Sequence, residues 1–107
     1  MSRFVTVAKA EAVPENRAVI VEVEGRSIAL CRVANDAIYA IDNVCTHDNG
    51  PLGEGVLRGD RIECPRHGAL FDVRSGAAKT LPAIKPVRSY HTRVADGEIQ
   101  VDLESAE

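Results

Sequence analysis

The sequence predicts an all-β fold: a small antiparallel barrel or sandwich of short strands carrying a loop-rich insert. Three observations predict it. β-branched and apolar residues run through 3–42 and 89–103 in strand-length stretches. Residues that favour tight turns fall between those stretches. No 3.6-residue apolar period persists for three turns anywhere in the chain.

The first strand is "RFVTVA" (3–8). "AKAEAVPENRA" (8–18) holds one helical turn at most, because Pro14 lacks an N–H and obstructs the turn before it. "AVIVEVEGRSIALCRV" (18–33) is two β-branched runs around Glu24-Gly25-Arg26, the pattern of a hairpin. "ANDAIYAID" (34–42) adds a turn at Asn35-Asp36 and a third strand. Near the C-terminus, "SYHTRVADGEIQVDL" (89–103) is a second hairpin, turning at Asp96-Gly97, where glycine adopts positive φ at little steric cost.

Between these stretches the pattern changes. From 43 to 86 the apolar signals shorten to "VL" (56–57), "RIEC" (61–64) and "ALFDV" (69–73), and glycine and proline gather. The expected organisation is one domain, 1–107, with a framework of about 1–42 and 87–107. The insert of tight hairpins and loops is about 43–86. Loops on a rigid scaffold are where function concentrates.

Composition narrows the function. The chain has 107 residues, 45% hydrophobic and 27% charged, a globular balance. With two Tyr, two Phe and no Trp, the core must come mainly from Val, Ile, Leu and Ala. A net charge of −3 argues against nucleic-acid binding and would favour a partner with a basic docking patch. "MSRFVTVAKAEAVPE" contains no long apolar run, so neither a signal peptide nor a membrane anchor is expected, and the expected location is the cytoplasm. Three cysteines, an odd number, do not make a disulfide framework in a reducing compartment.

Two of those cysteines stand in a pattern. Cys45-x-His47 and Cys64-x-x-His67 flank residues 48–63, and each loop offers one thiolate and one imidazole. Four soft or borderline ligands on two loops make a metal site the natural reading. A tetrahedral zinc site would accept four Cys/His ligands, but common zinc modules pair cysteine with cysteine and histidine with histidine. Two mixed loops suit a two-iron centre with unlike ends, cysteines on one iron and histidines on the other.

"CTH" (45–47) and "CPRHG" (64–68), with "FD" at 71–72, resemble the Rieske [2Fe–2S] signature. Length and strand pattern make the whole chain resemble the small Rieske ferredoxins that serve bacterial oxygenases. The resemblance implies one [2Fe–2S] cluster, with Cys45 and Cys64 on the inner iron and His47 and His67 on the outer, more exposed one. It also implies a flavoprotein reductase and a terminal oxygenase as partners, a monomeric shuttle, and a third loop over the cluster at 81–87. Rieske proteins of cytochrome bc complexes carry a further cysteine in each ligand loop. They also carry a serine and a tyrosine that donate to the cluster sulfurs. The matching positions here are Gly50, Arg66, Ala69 and Phe71. No loop disulfide is therefore available, and the potential is expected at the low end of the Rieske range.

Two other functions fit the same motif: the small Rieske-like subunit of a nitrite reductase, and a zinc-stabilised binding module. Catalysis by this chain alone is not expected, since only His91 is left to build a mononuclear iron site. Cys31, inside "IALCRV", reads as a core thiol. His91 reads as structural or exposed. Asp48 in the first ligand loop and Arg66 in the second are expected near the docking tip that the resemblance implies, and Gly68 is expected where backbone approaches the cluster closely.

Overall fold

The computed structural model describes residues 3–33, 37–44, 50–65, 68–80 and 85–104. Its strands are β1 (Phe4–Lys9), β2 (Arg17–Val23), β3 (Arg26–Arg32), β4 (Ile38–Asp42), β5 (Val56–Arg58), β6 (Arg61–Glu63), β7 (Leu70–Asp72), β8 (Ser89–Tyr90), β9 (Thr92–Ala95) and β10 (Glu98–Asp102). They form three antiparallel sheets, ordered β1-β10-β9, β2-β3-β4-β8 and β5-β6-β7. The all-β expectation holds.

The β2-β3-β4-β8 sheet is the middle layer, and β3 shows why. Side chains alternate across a strand. Ile28 and Leu30 enter one core with Val13, Ile99, Val101 and Leu103 from the β1-β10-β9 side. Ala29 and Cys31 enter a second core with Leu52, Ile62, Cys64, Ala69, Phe71 and Val73. Both faces of β3 are therefore covered, which accounts for its unbroken apolar run "IALC".

The hairpin turns follow their backbone requirements. Val23 pairs with Arg26, so Arg26 belongs to β3 and the turn is Glu24-Gly25 alone, with φ of 49° and 80°. Ala95 pairs with Glu98 across Asp96-Gly97, φ 54° and 76°. Both are two-residue turns with positive φ throughout, whose twist matches that of the flanking strands. The single turn expected before Pro14 is the 3₁₀ turn Ala10–Ala12. Arg32 fastens it, with Nε donating to the Val13 carbonyl at 2.6 Å and Nη2 to that of Ala10 at 2.5 Å. The turn expected at Asn35-Asp36 lies outside the described residues.

The C-terminal hairpin differs from expectation. Its first arm is divided at His91: Tyr90 pairs with Ala40 in the middle sheet, while Thr92 pairs with Val101 in the other. Anchors on either side of the crossing explain the switch. The Tyr90 hydroxyl donates to Asp42 Oδ1 at 2.5 Å, and the Thr92 hydroxyl donates to the Ile38 carbonyl at 2.6 Å. The single strand thereby joins the two sheets around one core.

Candidate metal centre

Three of the four expected ligands, Cys45, His47 and His67, lie outside the described residues, as do Asp48, Arg66 and positions 81–84 of the third loop. The described residues include Cys64 and the stems of all three loops. Among them no group of three or more His, Cys, Asp or Glu could hold a metal.

Cys64 follows β6, is 1% exposed and forms no disulfide. Its N–H donates to the Ala69 carbonyl at 2.7 Å, and its own carbonyl accepts from Gly68 N–H at 3.0 Å. These two bonds close residues 64–69 into a tight return. Gly68 makes that return possible with φ of 74°, a conformation that side chains disfavour. A Cβ there would meet no described atom within 4 Å. Backbone shape therefore explains this glycine, and its N–H is engaged by Cys64 rather than aimed at a cofactor.

The loop stems are held by backbone and side chain together. Leu70 N–H donates to Thr80 Oγ1, and Lys79 N–H to the Leu70 carbonyl, both at 2.8 Å. Val87 N–H donates to the Gly76 carbonyl at 2.8 Å. A Cβ on Gly76 would stand 2.1 Å from the Val87 carbonyl oxygen, so only glycine admits this contact. The two flanks of 81–84 are thus tied to the Cys64 hairpin. The first loop is closed by Gly53 N–H donating to Asn43 Oδ1 at 2.6 Å.

The last residue of β7, paired with Arg61 of β6, is Asp72 of the "FD" pair, which is 6% exposed. Its Oδ1 accepts from Arg74 N–H at 2.8 Å, and Arg74 Nη2 bridges Asp72 Oδ2 at 3.2 Å and Asp60 Oδ2 at 3.1 Å. Burial pushes the Asp72 carboxyl up, but the hydrogen bonds and charge of Arg74 outweigh it and hold the group below its ordinary value. A carboxyl depressed in the fold stabilises it above the ordinary value, about 3.9, and that contribution fades as pH falls through the folded value. Asp72→Asn is therefore expected to lower stability at pH 6 and to flatten its decline as pH falls below about 4. Unfolding curves that keep the wild-type slope in this window would reject the assignment.

Cys31 and His91 stand apart. Burial within β3 pushes the Cys31 thiol up to about 12, which keeps it protonated at neutral pH and bears out the reading of a core thiol. His91 is exposed at the crossing between β8 and β9, its carbonyl accepting from Asp102 N–H at 2.9 Å. The stem residues Asn43, Thr80 and Arg74 were not legible as functional. Each is a common polar residue, marked only by its position beside a ligand loop or the "FD" pair.

A buried, unbridged thiol on a glycine-closed return, walled by Ala69 and Phe71, suits a sulfur-ligated cofactor shielded from water on one side. Residues 3–91 match the Rieske [2Fe-2S] domain. The chain belongs to the Rieske family. The ferredoxin component of the naphthalene 1,2-dioxygenase/salicylate 5-hydroxylase systems of a Ralstonia species is 36% identical over 101 residues, covering 94% of this chain and 96% of its own. The ferredoxin of carbazole 1,9a-dioxygenase from Nocardioides aromaticivorans IC177 superposes with a TM-score of 0.86 at 37% identity, over 92% of this chain and 95% of its own. A solved complex of reduced oxygenase and oxidized ferredoxin in carbazole 1,9a-dioxygenase contains a similar chain, with 32% identity, a TM-score of 0.85 and 92% coverage of each. This Rieske chain is a ferredoxin, an electron-transfer component rather than a catalyst. The family's cofactor is the [2Fe–2S] cluster, which replaces the zinc reading.

Proposed function

We propose that this chain carries single electrons from a flavin reductase to the terminal oxygenase of an aromatic-ring dioxygenase system. Similarity to such ferredoxin components along nearly the full length of both chains carries the reading. Cys45, His47, Cys64 and His67 hold the cluster, thiolates on one iron and imidazoles on the other. When bound, the cluster takes up and releases one electron without a bond being made or broken. The chain's own residues do the rest. The return at 64–69 fixes the Cys64 thiol in the core. Ala69 and Phe71 exclude water beside it and offer no hydroxyl to it. His47 and His67, as the imidazole ligands, would supply the edge through which the electron passes to and from a partner.

The same reading takes 1–107 as a single Rieske domain, with 43–86 as its cluster-binding insert, working as a cytoplasmic monomer. Among the described residues no helix is long and apolar enough to cross a membrane.

Reconstitution tests the function. The purified protein is expected to be red-brown, to be reduced by NADH through a dioxygenase-system flavin reductase, and to restore turnover by the matching oxygenase in proportion to its concentration. A coloured, reducible protein that supports no ring-hydroxylating oxygenase in a panel would overturn the partner assignment. A colourless protein would overturn the ligand set.

A further inference from the structure

We infer that Asn43 is a positioning residue for the first cluster loop, acting through its side-chain amide. The inference rests on the proposed ligand set, because Cys45 and His47 stand in the stretch that Asn43 closes. Three contacts converge on this residue. Its backbone N–H donates to the Ser27 carbonyl at 2.9 Å, which continues the β3–β4 pairing one step past Asp42. Its Nδ2 donates to Ser27 Oγ at 3.0 Å. Its Oδ1 accepts from Gly53 N–H at 2.6 Å. One amide therefore joins the middle sheet to the 3₁₀ turn Leu52–Glu54, across the whole of 44–52.

The receiving end is shaped for this contact. A Cβ on Gly53 would lie 2.9 Å from Asn43 Oδ1 and 2.6 Å from Ile20 Cγ1. Glycine at 53 lets the turn settle onto the amide, and Gly53 and Leu52 are both buried there. The amide has both functions the position needs, an acceptor for Gly53 and a donor for Ser27. Aspartate would keep the acceptor and lose the donor. Alanine would lose both and leave the Gly53 N–H without that partner in a buried place, the costly way to break a hydrogen bond. The core ladders do not depend on the clasp. Its loss should therefore fall on the geometry of the loop rather than on the fold.

The experiment compares wild type, Asn43→Ala, Asn43→Asp and Ser27→Ala as isolated holoproteins. Iron and sulfide content, the electron paramagnetic resonance spectrum of the reduced protein, the rate of cluster loss to a chelator and the unfolding midpoint are measured on each. Asn43→Ala is expected to load, to show shifted g-values, and to lose its cluster about tenfold faster, the scale of one net hydrogen bond. Asn43→Asp and Ser27→Ala, which keep the Gly53 acceptor, are expected to stay near wild type in g-values and within about threefold in loss rate. Wild-type g-values and loss rate in Asn43→Ala would overturn the inference while leaving the ligand set standing. If Asn43→Ala does not fold, the aspartate variant decides: a loss rate close to wild type supports the acceptor role, and a rapid one overturns it. A wild-type protein without a Rieske spectrum would overturn the ligand set and the inference with it.

Discussion

Cys64→Ala is expected to yield a folded but colourless protein, and Cys31→Ala a coloured one. The contrast is informative because the two residues look alike by burial, at 1% and 0% exposed, and neither is bridged. They also share one apolar core. What separates them is backbone setting. Cys31 is paired on both sides within the middle sheet, opposite Ala18 and Tyr39, and its thiol is held protonated by burial. It lacks the thiolate character that metal ligation needs. Removing its sulfur takes one buried heavy atom from a packed core, a loss of about 1 kcal/mol by analogy with other small truncations. Cys64 stands at the head of a return whose bonds, Cys64 N–H to Ala69 and Gly68 N–H to Cys64, are entirely backbone. Alanine leaves those bonds in place, so the hairpin should survive while the ligand is lost. Visible absorption, iron content and denaturant unfolding of the two variants provide the measurement. A Cys64→Ala protein that keeps full iron and colour would remove Cys64 from the ligand set.

The sequence showed the fold through its turns and its β-branched runs. Glu24-Gly25 and Asp96-Gly97 are turn residues set between β-branched runs, so the turns of two hairpins could be placed almost to the residue. The passage of one strand between two sheets at His91 could not be read this way. It depends on Tyr90 reaching Asp42 and Thr92 reaching Ile38, contacts separated by 48 and 54 positions in the chain. No local period records such a contact. The ligand motif was legible because spacing alone, Cys-x-His and Cys-x-x-His, restricts the chemistry. The residues that hold its stems were not, since Asn43 and Thr80 act through hydrogen bonds to Ser27, Gly53 and Leu70, partners ten or more positions away that only the fold brings near. Gly68 shows the same limit from the other side. Its presence in the loop was visible, but the reason for it, a positive φ that lets Cys64 pair with Ala69, is a property of the closed return.

Introducing hydroxyls at Ala69 and Phe71 is expected to raise the reduction potential. Alternation places the two residues on one face of β7 and the segment leading into it, the face buried with Cys64, while Leu70 points the other way and is half-buried. Ala69 is also tied directly to Cys64 through its carbonyl. A hydroxyl at either site would therefore enter the apolar surroundings of the cysteine. The reduced cluster carries one more negative charge than the oxidised one, so a donor to it is strengthened on reduction. The wild-type midpoint should lie near the low end of the Rieske range, on the order of −150 mV. A tenfold shift of a one-electron equilibrium is about 59 mV, so two donors in Ala69→Ser/Phe71→Tyr should raise the midpoint by on the order of 100 mV. The same substitutions in Cys64→Ala should act in the opposite sense, on stability. With no cluster to accept their bonds, two hydroxyls buried among Ile62, Val73 and Leu52 would each cost about 1–3 kcal/mol. Protein-film voltammetry on the holoprotein and denaturant unfolding of the colourless variant measure the two effects separately. A midpoint unmoved by both hydroxyls would mean that positions 69 and 71 do not face the cluster, and the low potential would then need a source other than the missing donors.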